Sequence, residues 1–280
     1  MLDVWDGAGE FPSSGSLFID SSMLVVVSPA KALDFSPVDL PMVPTVPRLL
    51  SHTVALAASA KERTRADFKK LMHLSDSLAE LTFERFQAMN VAAVEEDAKA
   101  AAFAYAGDTY RGLDIAQFTK DDMAYAQTHF RMLSGLYGLL RPMDVIKAHR
   151  LEMGTRLQTP RGKDLYAFWG AEIANLLNED SVAAGGEPVV VNCASVEYFK
   201  SVDRKVLVPS VVDVVFKEEK GGVAKVISFY AKQARGTMAR FIVKNRIDRV
   251  DDLKDFAEDG YVFRPKESEG TKLVFSRLSE

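Results

Sequence analysis

Residues 23–35, MLVVVSPAKALDF, open on five consecutive apolar side chains and close them with Ser28-Pro29. An unbroken valine-rich run reads as a buried β-strand, not as the alternating pattern of a strand with one face in water. Pro29 has no backbone N–H to offer a sheet ladder, so the strand is predicted to end there. Lys31 follows the end of that strand, which is where α/β sheets place ligand contacts. Upstream, residues 1–22 are rich in Gly, Ser and Asp, carry no Lys or Arg, and precede the second methionine. They read as a disordered extension or a start assigned too far upstream, leaving 23–280 as one domain.

Downstream, a Pro-rich connector over 37–47 leads into a helical half. Apolar residues at helical spacing predict helices over 49–60, 68–74, 77–89 and 94–105, with Ser75 or Ser77 capping the third. Thr119 is placed to cap a helix running to Met132, with Asp121 and Asp122 in its favourable first turn. Another helix is expected over 164–177. The second half alternates. VVVNCAS (189–195) reads as a strand, and Ser195 as the cap of a short helix through Tyr198. VVDVVFK and VAKVISFY read as arms of a hairpin turning at 218–222, followed by a helix over 231–245 and closing strands in YVFRP and KLVFSRL. This order predicts an α/β (mixed α+β) fold, a single compact domain with a mixed sheet and surrounding helices.

The 280 residues are 48% hydrophobic and 26% charged, an ordinary globular balance. No segment approaches the roughly 18 consecutive apolar residues of a membrane-spanning helix, so a cytoplasmic location is expected. Cys193, the single cysteine, excludes an intrachain disulfide and a cysteine-rich zinc site, and its apolar setting predicts an unreactive thiol. His52, His73, His129 and His149 are scattered and none has a Glu three residues before it, so no di-iron helix motif, no metal set and no cofactor are expected. The phosphate-loop and dinucleotide fingerprints are absent too. A formal charge of -4 argues weakly against a nucleic-acid partner, but it hides an asymmetry. Seven Lys or Arg face two acids between Arg131 and Lys163, and seven face one between Lys225 and Arg249. Segregated stretches of this kind can form a local positive surface.

Two short patterns carry less than they suggest. Ser28-Pro29-Ala30-Lys31 has the S-x-x-K spacing of serine acyl-enzymes, but the partner motifs of that chemistry are missing. Gly135-Leu136-Tyr137-Gly138 has the spacing of a nucleic-acid clamp but lies inside an apolar run, which favours a turn or tight packing.

Six separated strings, SPAKALDF (28–35), RMLSGLYGLLRPMD (131–144), HRLEMG (149–154), GKDLYAFWG (162–170), NCASVEYFKSV (192–202) and SFYAKQARGTMARFI (228–242), resemble in order and spacing the YaaA family of bacterial peroxide-stress proteins. The resemblance implies a family-specific α/β fold, a positively charged cleft, a helix-hairpin-helix-like element, DNA binding, and a role in limiting iron and peroxide damage. The stretch over 68–89 is the candidate for that element, although His73-Leu74-Ser75-Asp76 replaces the usual glycine-rich hairpin. Read from the residues, Lys232 and Arg235 share one helix face in a stretch nearly free of acids, which suits a pair of phosphate contacts. Arginine forks grip phosphate bidentately, and Arg131, Arg141, Arg150 and Arg156 outnumber Asp144 and Glu152 beside them. The expected cleft comprises Lys31, Arg131, Arg141, Arg150, Arg156, Lys163, Lys200, Lys232, Arg235 and Arg240, holding duplex or branched DNA without base reading. The rival expectation is an enzyme acting on a nucleotide or nucleobase, with Lys31, Asn192, Glu197 and Tyr198 lining its pocket. A long open basic groove favours the first, and convergence on an enclosed pocket with Glu197 favours the second.

Overall fold

The first strand is covered on both sides. In the computed structural model, which describes residues 23–94, 97–182 and 188–279, no residue of β1 (Met23–Val27) is more than 2% exposed. The expectations for residues 1–22 fall outside the described residues. After β1 come β2 (Ala32–Leu33), α1 (Leu50–Lys61), α2 (Arg65–Met72) and α3 (Asp76–Ala88). Then follow β3 (Ala98–Ala100), α4 (Ala101–Ala104), β4 (Tyr105–Ala106), α5 (Asp108–Leu113) and α6 (Lys120–His129). β5 (Phe130–Ser134), β6 (Gly138–Leu140), β7 (Val145–Lys147), α7 (Leu165–Trp169) and α8 (Glu172–Asp180) complete the first two thirds. The remainder is β8 (Val189–Cys193), α9 (Val196–Phe199), β9 (Ser210–Lys220), β10 (Val223–Lys225), α10 (Ser228–Asn245), β11 (Val262–Phe263) and β12 (Lys272–Leu278).

Eight of these strands form one mixed sheet in the order β11-β12-β9-β8-β1-β5-β6, with β10 paired to β9. β1 runs parallel to both β5 and β8, β8 is parallel to β9, and β9 to β12. The two small sheets pair β2 with β4 and β3 with β7. The architecture is thus the mixed α/β domain that the alternation of elements predicts. From β1 the chain crosses to β5 on one side and later returns to β8 on the other. Such a reversal opens a crevice beyond the carboxyl ends of the two strands.

Several boundaries differ from the periodicity. The helix expected over 94–105 is instead β3, one turn of helix and β4, because pairing of Ala98–Ala100 with β7 overrides the helical preference of an alanine-rich stretch. The helix capped by Thr119 stops at His129, and residues 130–134 become a fully buried strand beside β1. A short apolar run fits either element, and sheet pairing decides it. The segment 164–177 breaks at Gly170, whose φ of +49° separates α7 from α8. Of VAKVISFY only Val223–Lys225 pairs with β9, and α10 begins at Ser228. The caps hold: the side chains of Ser75, Thr119 and Ser195 each accept from a backbone N–H of the following turn. α2 and α3 form a tight helical hairpin in which Phe68 stacks on Phe86 at 5.3 Å.

α10 is held close enough to the rest of the molecule that two positions exclude side chains. A Cβ on Gly236 would lie 1.7 Å from the Thr109 carbonyl oxygen, and one on Gly112 would lie 2.0 Å from that of Gln233. This backbone contact with α5 sets the position of the adjacent Arg235 and of Lys232, one turn earlier. Gly236→Ala gains about 1 kcal/mol of helix propensity, but the clash is with main chain that cannot rotate away. Overpacking costs about 1–3 kcal/mol or more. A net loss above about 1 kcal/mol is therefore expected in chemical denaturation, and a Gly236→Ala chain as stable as the native one would contradict this packing.

Candidate functional site

The ends of β1 and β8 are tied by side chains 167 positions apart. Ser28 Oγ accepts from the Ser195 backbone N–H at 2.8 Å and donates to Ser195 Oγ at 3.3 Å, while the Tyr110 hydroxyl donates to the Ser28 carbonyl at 3.2 Å. Beyond this tie lies a cavity of about 390 Å³, walled by the small and apolar residues Pro29, Ala30, Ala32, Ala106 and Gly107. Lys31, Glu197, Tyr198, Lys232 and Arg235 line it as well. A narrow annex lined by Tyr105, Ser134, His149 and Arg150 adjoins it and shares Pro29, Ala30, Lys31 and Tyr198.

The charges around this cavity are not balanced. Asp108 pairs with Arg111, and Glu197 Oε1 accepts from the Gly154 N–H at 2.9 Å. Glu152 takes both Lys31 at 3.2 Å and Arg150 at 3.0 Å. Neither Lys232 nor Arg235 has a carboxylate partner among the described residues. Arg235 Nε is buried and makes no hydrogen bond, and burial lowers the pKa of its guanidinium. An orphaned buried donor on a cation costs about 1–3 kcal/mol or more, a cost that an anionic ligand would remove. The same residue also lines a neighbouring cavity of about 550 Å³ with Asn192, Lys200 and Arg204.

A third cavity, of about 700 Å³, is lined by Arg63, Lys70, His73, Gly154 and Arg156 against the α2–α3 hairpin. The Gly154–Glu197 hydrogen bond joins its wall to that of the first cavity. Asp76, a potential repeller of phosphate at this hairpin, is held by Lys69 at 2.6 Å.

The expected site residues therefore divide. Lys31, Lys232 and Arg235 converge on the central cavity with Arg150 at its annex, and Arg156 lines the cavity of the hairpin. Lys163 and Lys200 are exposed, Lys200 resting on the Tyr166 ring at 4.8 Å, and neither pairs with an acid among the described residues. The remaining three face inward onto carboxylates. Arg131 is 3% exposed and bonds Asp180 at 2.6 Å. Arg141 grips the buried Asp144 at 2.7 Å, and Arg240 holds Glu258 at 2.6 Å. Of the enzyme quartet, Lys31, Glu197 and Tyr198 meet, but the Asn192 amide is spent on Asp213 at 2.7 Å and on the Ala194 N–H at 3.0 Å. Ser28 and Lys31 of the S-x-x-K pattern have different partners. Gly135 and Gly138 are a packed turn, Gly135 lying against the Leu151 carbonyl oxygen and Gly138 against Trp169. Tyr105, Asp108, Thr109 and Ser134 were not singled out from the sequence, which gives no signal that β4, α5 and β5 meet here.

Two buried groups are chemically quiet at neutral pH. Burial pushes the Cys193 thiol up to about 12, so it stays protonated. Burial lowers His149 to about 4, leaving it neutral with Nδ1 bonded to the Lys147 carbonyl at 2.8 Å. Because the folded state binds this proton less readily than the unfolded chain, His149 contributes full stability above pH 6.5. That contribution is lost as pH falls towards about 4. Linkage gives a loss of about 2 kcal/mol between pH 7 and pH 5. A His149→Asn chain should show a correspondingly flatter dependence in urea titrations, and an unchanged slope would rule this out.

Among the described residues no helix is long and apolar enough to cross a membrane. Among the same described residues, no group of three or more His, Cys, Asp or Glu side chains is gathered to hold a metal. The family model described as peroxide stress protein YaaA matches residues 23–267. A UPF0246 protein of Dinoroseobacter shibae is 51% identical over 255 residues, covering 91% of this chain and 95% of the relative. One from Saccharophagus degradans is 47% identical over 256 residues, covering 91% and 99%. The family model spans β1 through β11 and every residue that lines the central cavity, and the chain belongs to the peroxide stress protein YaaA family.

Proposed function

We propose that this chain serves the peroxide-stress response by binding DNA, and that it holds the phosphate backbone without reading sequence. The observation that carries the reading is Arg235. It is a guanidinium with a buried, unbonded Nε and no acid beside it, in the same cavity as the unpaired Lys232. With Arg156, Lys163 and Lys200, these make five cations without carboxylate partners among the described residues. Phosphate oxygens are the natural partners for forks and ammonium groups of this kind. The α2–α3 hairpin flanks the cleft next to Arg156, and supplies a second surface for the backbone. Limiting iron and peroxide damage would follow from occupying the DNA, not from thiol chemistry, since Cys193 is buried and stays protonated.

Purified protein titrated against labelled duplexes of unrelated sequence should bind all of them within about threefold of one another, because backbone contacts carry no base information. A strong preference for one sequence, or no binding at low salt, would overturn the reading.

A further inference from the structure

The central cavity has a shape that a duplex backbone alone does not explain. About 390 Å³ lies beyond the carboxyl ends of β1 and β8, at the reversal of strand order, and that volume falls in the range that encloses one small ligand. It is far too small for a double helix, whose backbone would rest only on its rim. Its walls include Pro29, Ala30, Ala32, Ala106 and Tyr198, which offer apolar area to a flat ring. Its two cations without a carboxylate partner among the described residues sit on a single face of α10, as Lys232 and Arg235 three residues apart, while Lys31 is held by Glu152. Glu197 has one oxygen on the Gly154 N–H, which leaves the other for a ligand donor. A simple anion would use Arg235 and leave the apolar room empty, and an apolar ligand would leave Arg235 orphaned.

We infer that the cavity takes one nucleoside monophosphate unit, its phosphate on Lys232 and Arg235 and its base between Pro29 and Tyr198 with an amino or imino N–H towards Glu197. Two sources have this chemistry: a free mononucleotide, or an unpaired nucleotide turned out of bound DNA. The inference deepens the DNA reading and, for its second source, rests on it. Turning out an already unpaired nucleotide costs less than breaking a pair, and aromatic stacking recovers part of that cost.

The test uses the full chain, deoxyadenosine monophosphate, deoxyadenosine, inorganic phosphate, and two duplexes that differ only by one unpaired 2-aminopurine nucleotide. If the free source is right, the monophosphate binds at least about tenfold more tightly than either the nucleoside or phosphate, since each fragment forfeits one half of the contacts. If the DNA source is right, 2-aminopurine fluorescence changes on binding, and the bulged duplex binds more tightly than the paired one. Ala32→Trp, at an exposed wall position, fills the room. It should abolish the mononucleotide or bulge signal. Loss of the signal in Arg235→Gln, with unchanged thermal unfolding, places the phosphate. Paired-duplex binding with neither signal, phosphate binding as tightly as the monophosphate, or a signal that survives Ala32→Trp overturns the inference and leaves the DNA reading standing. Mononucleotide binding without any duplex binding does the reverse.

Discussion

Replacing Lys232 by Glu and Arg235 by Gln in one chain is expected to lower affinity for duplex DNA about a hundredfold at fixed low salt. Charge-assisted hydrogen bonds are worth about 1.5–3 kcal/mol each, and two of them lost correspond to two or more decades in the dissociation constant. The fold should survive, because neither side chain is in an ion pair among the described residues, and removing the orphaned Arg235 guanidinium relieves a burial cost. The matched control reverses Lys205 and Arg249. Arg249 lies four residues beyond the end of α10, whose last residue, Asn245, is about 15 Å along the helix axis from Arg235 at 1.5 Å per residue. Lys205 precedes β9 and does not line the central cavity. The control should change affinity by less than about threefold. If the Lys232 and Arg235 double variant keeps native affinity, or if the control matches its loss, DNA does not lie on this face of α10.

The largest stability effect is expected at Asp180. This carboxylate sits 8% exposed at the end of α8, accepting from Arg131 Nε at 2.6 Å and from both terminal nitrogens of Arg48 at 2.6 Å. Burial pushes its pKa up, but the hydrogen bonds from Arg48 and Arg131 more than reverse that, and it stays ionised below the usual carboxylate range. Asp180→Ala would leave Arg131 charged inside the molecule with only the Gln127 and Phe130 carbonyls to receive it. Breaking one side of a buried pair costs about 3–5 kcal/mol, so a large shift in urea midpoint is expected. Replacing both partners, Arg131→Met with Asp180→Leu, should recover most of the loss, because two apolar groups leave no charge behind. A single variant that loses less than about 1 kcal/mol would show that Arg131 is not dependent on this partner.

These two residues also show where the sequence stops being legible. Arg131 is an unexplained cation in a basic window when its neighbours are read, and its acid lies 49 positions away. Arg240 is answered by Glu258, 18 positions downstream, past the end of its helix. Arg141 and Arg150 have their partners within sight, at Asp144 and Glu152. Charge counted along the chain therefore overstates the basic surface, because folding pairs five of the ten expected cations with acids: Arg131, Arg141 and Arg240 as above, and Lys31 and Arg150 with Glu152. What survives is what local chemistry determines. The valine run forms the central strand, Thr119 and Ser195 cap their helices, and the acid-poor stretch of α10 presents Lys232 and Arg235 together. The cavity itself could not be read, since it depends on Ser28 meeting Ser195 and on two glycines, Gly112 and Gly236, that allow α5 and α10 to touch.

The cations left over by folding make the salt dependence of DNA binding the most direct test of the proposed function. Each neutralised duplex phosphate releases condensed counterion, so log affinity falls with log salt by about 0.9 per contact. The five cations without carboxylate partners, Arg156, Lys163, Lys200, Lys232 and Arg235, set an expected slope of about -4 to -5 for duplexes of any sequence. The Lys232 and Arg235 double variant should bring it to about -3 or shallower. A native slope near zero, or one that the double variant leaves unchanged, would contradict a phosphate site at this cleft.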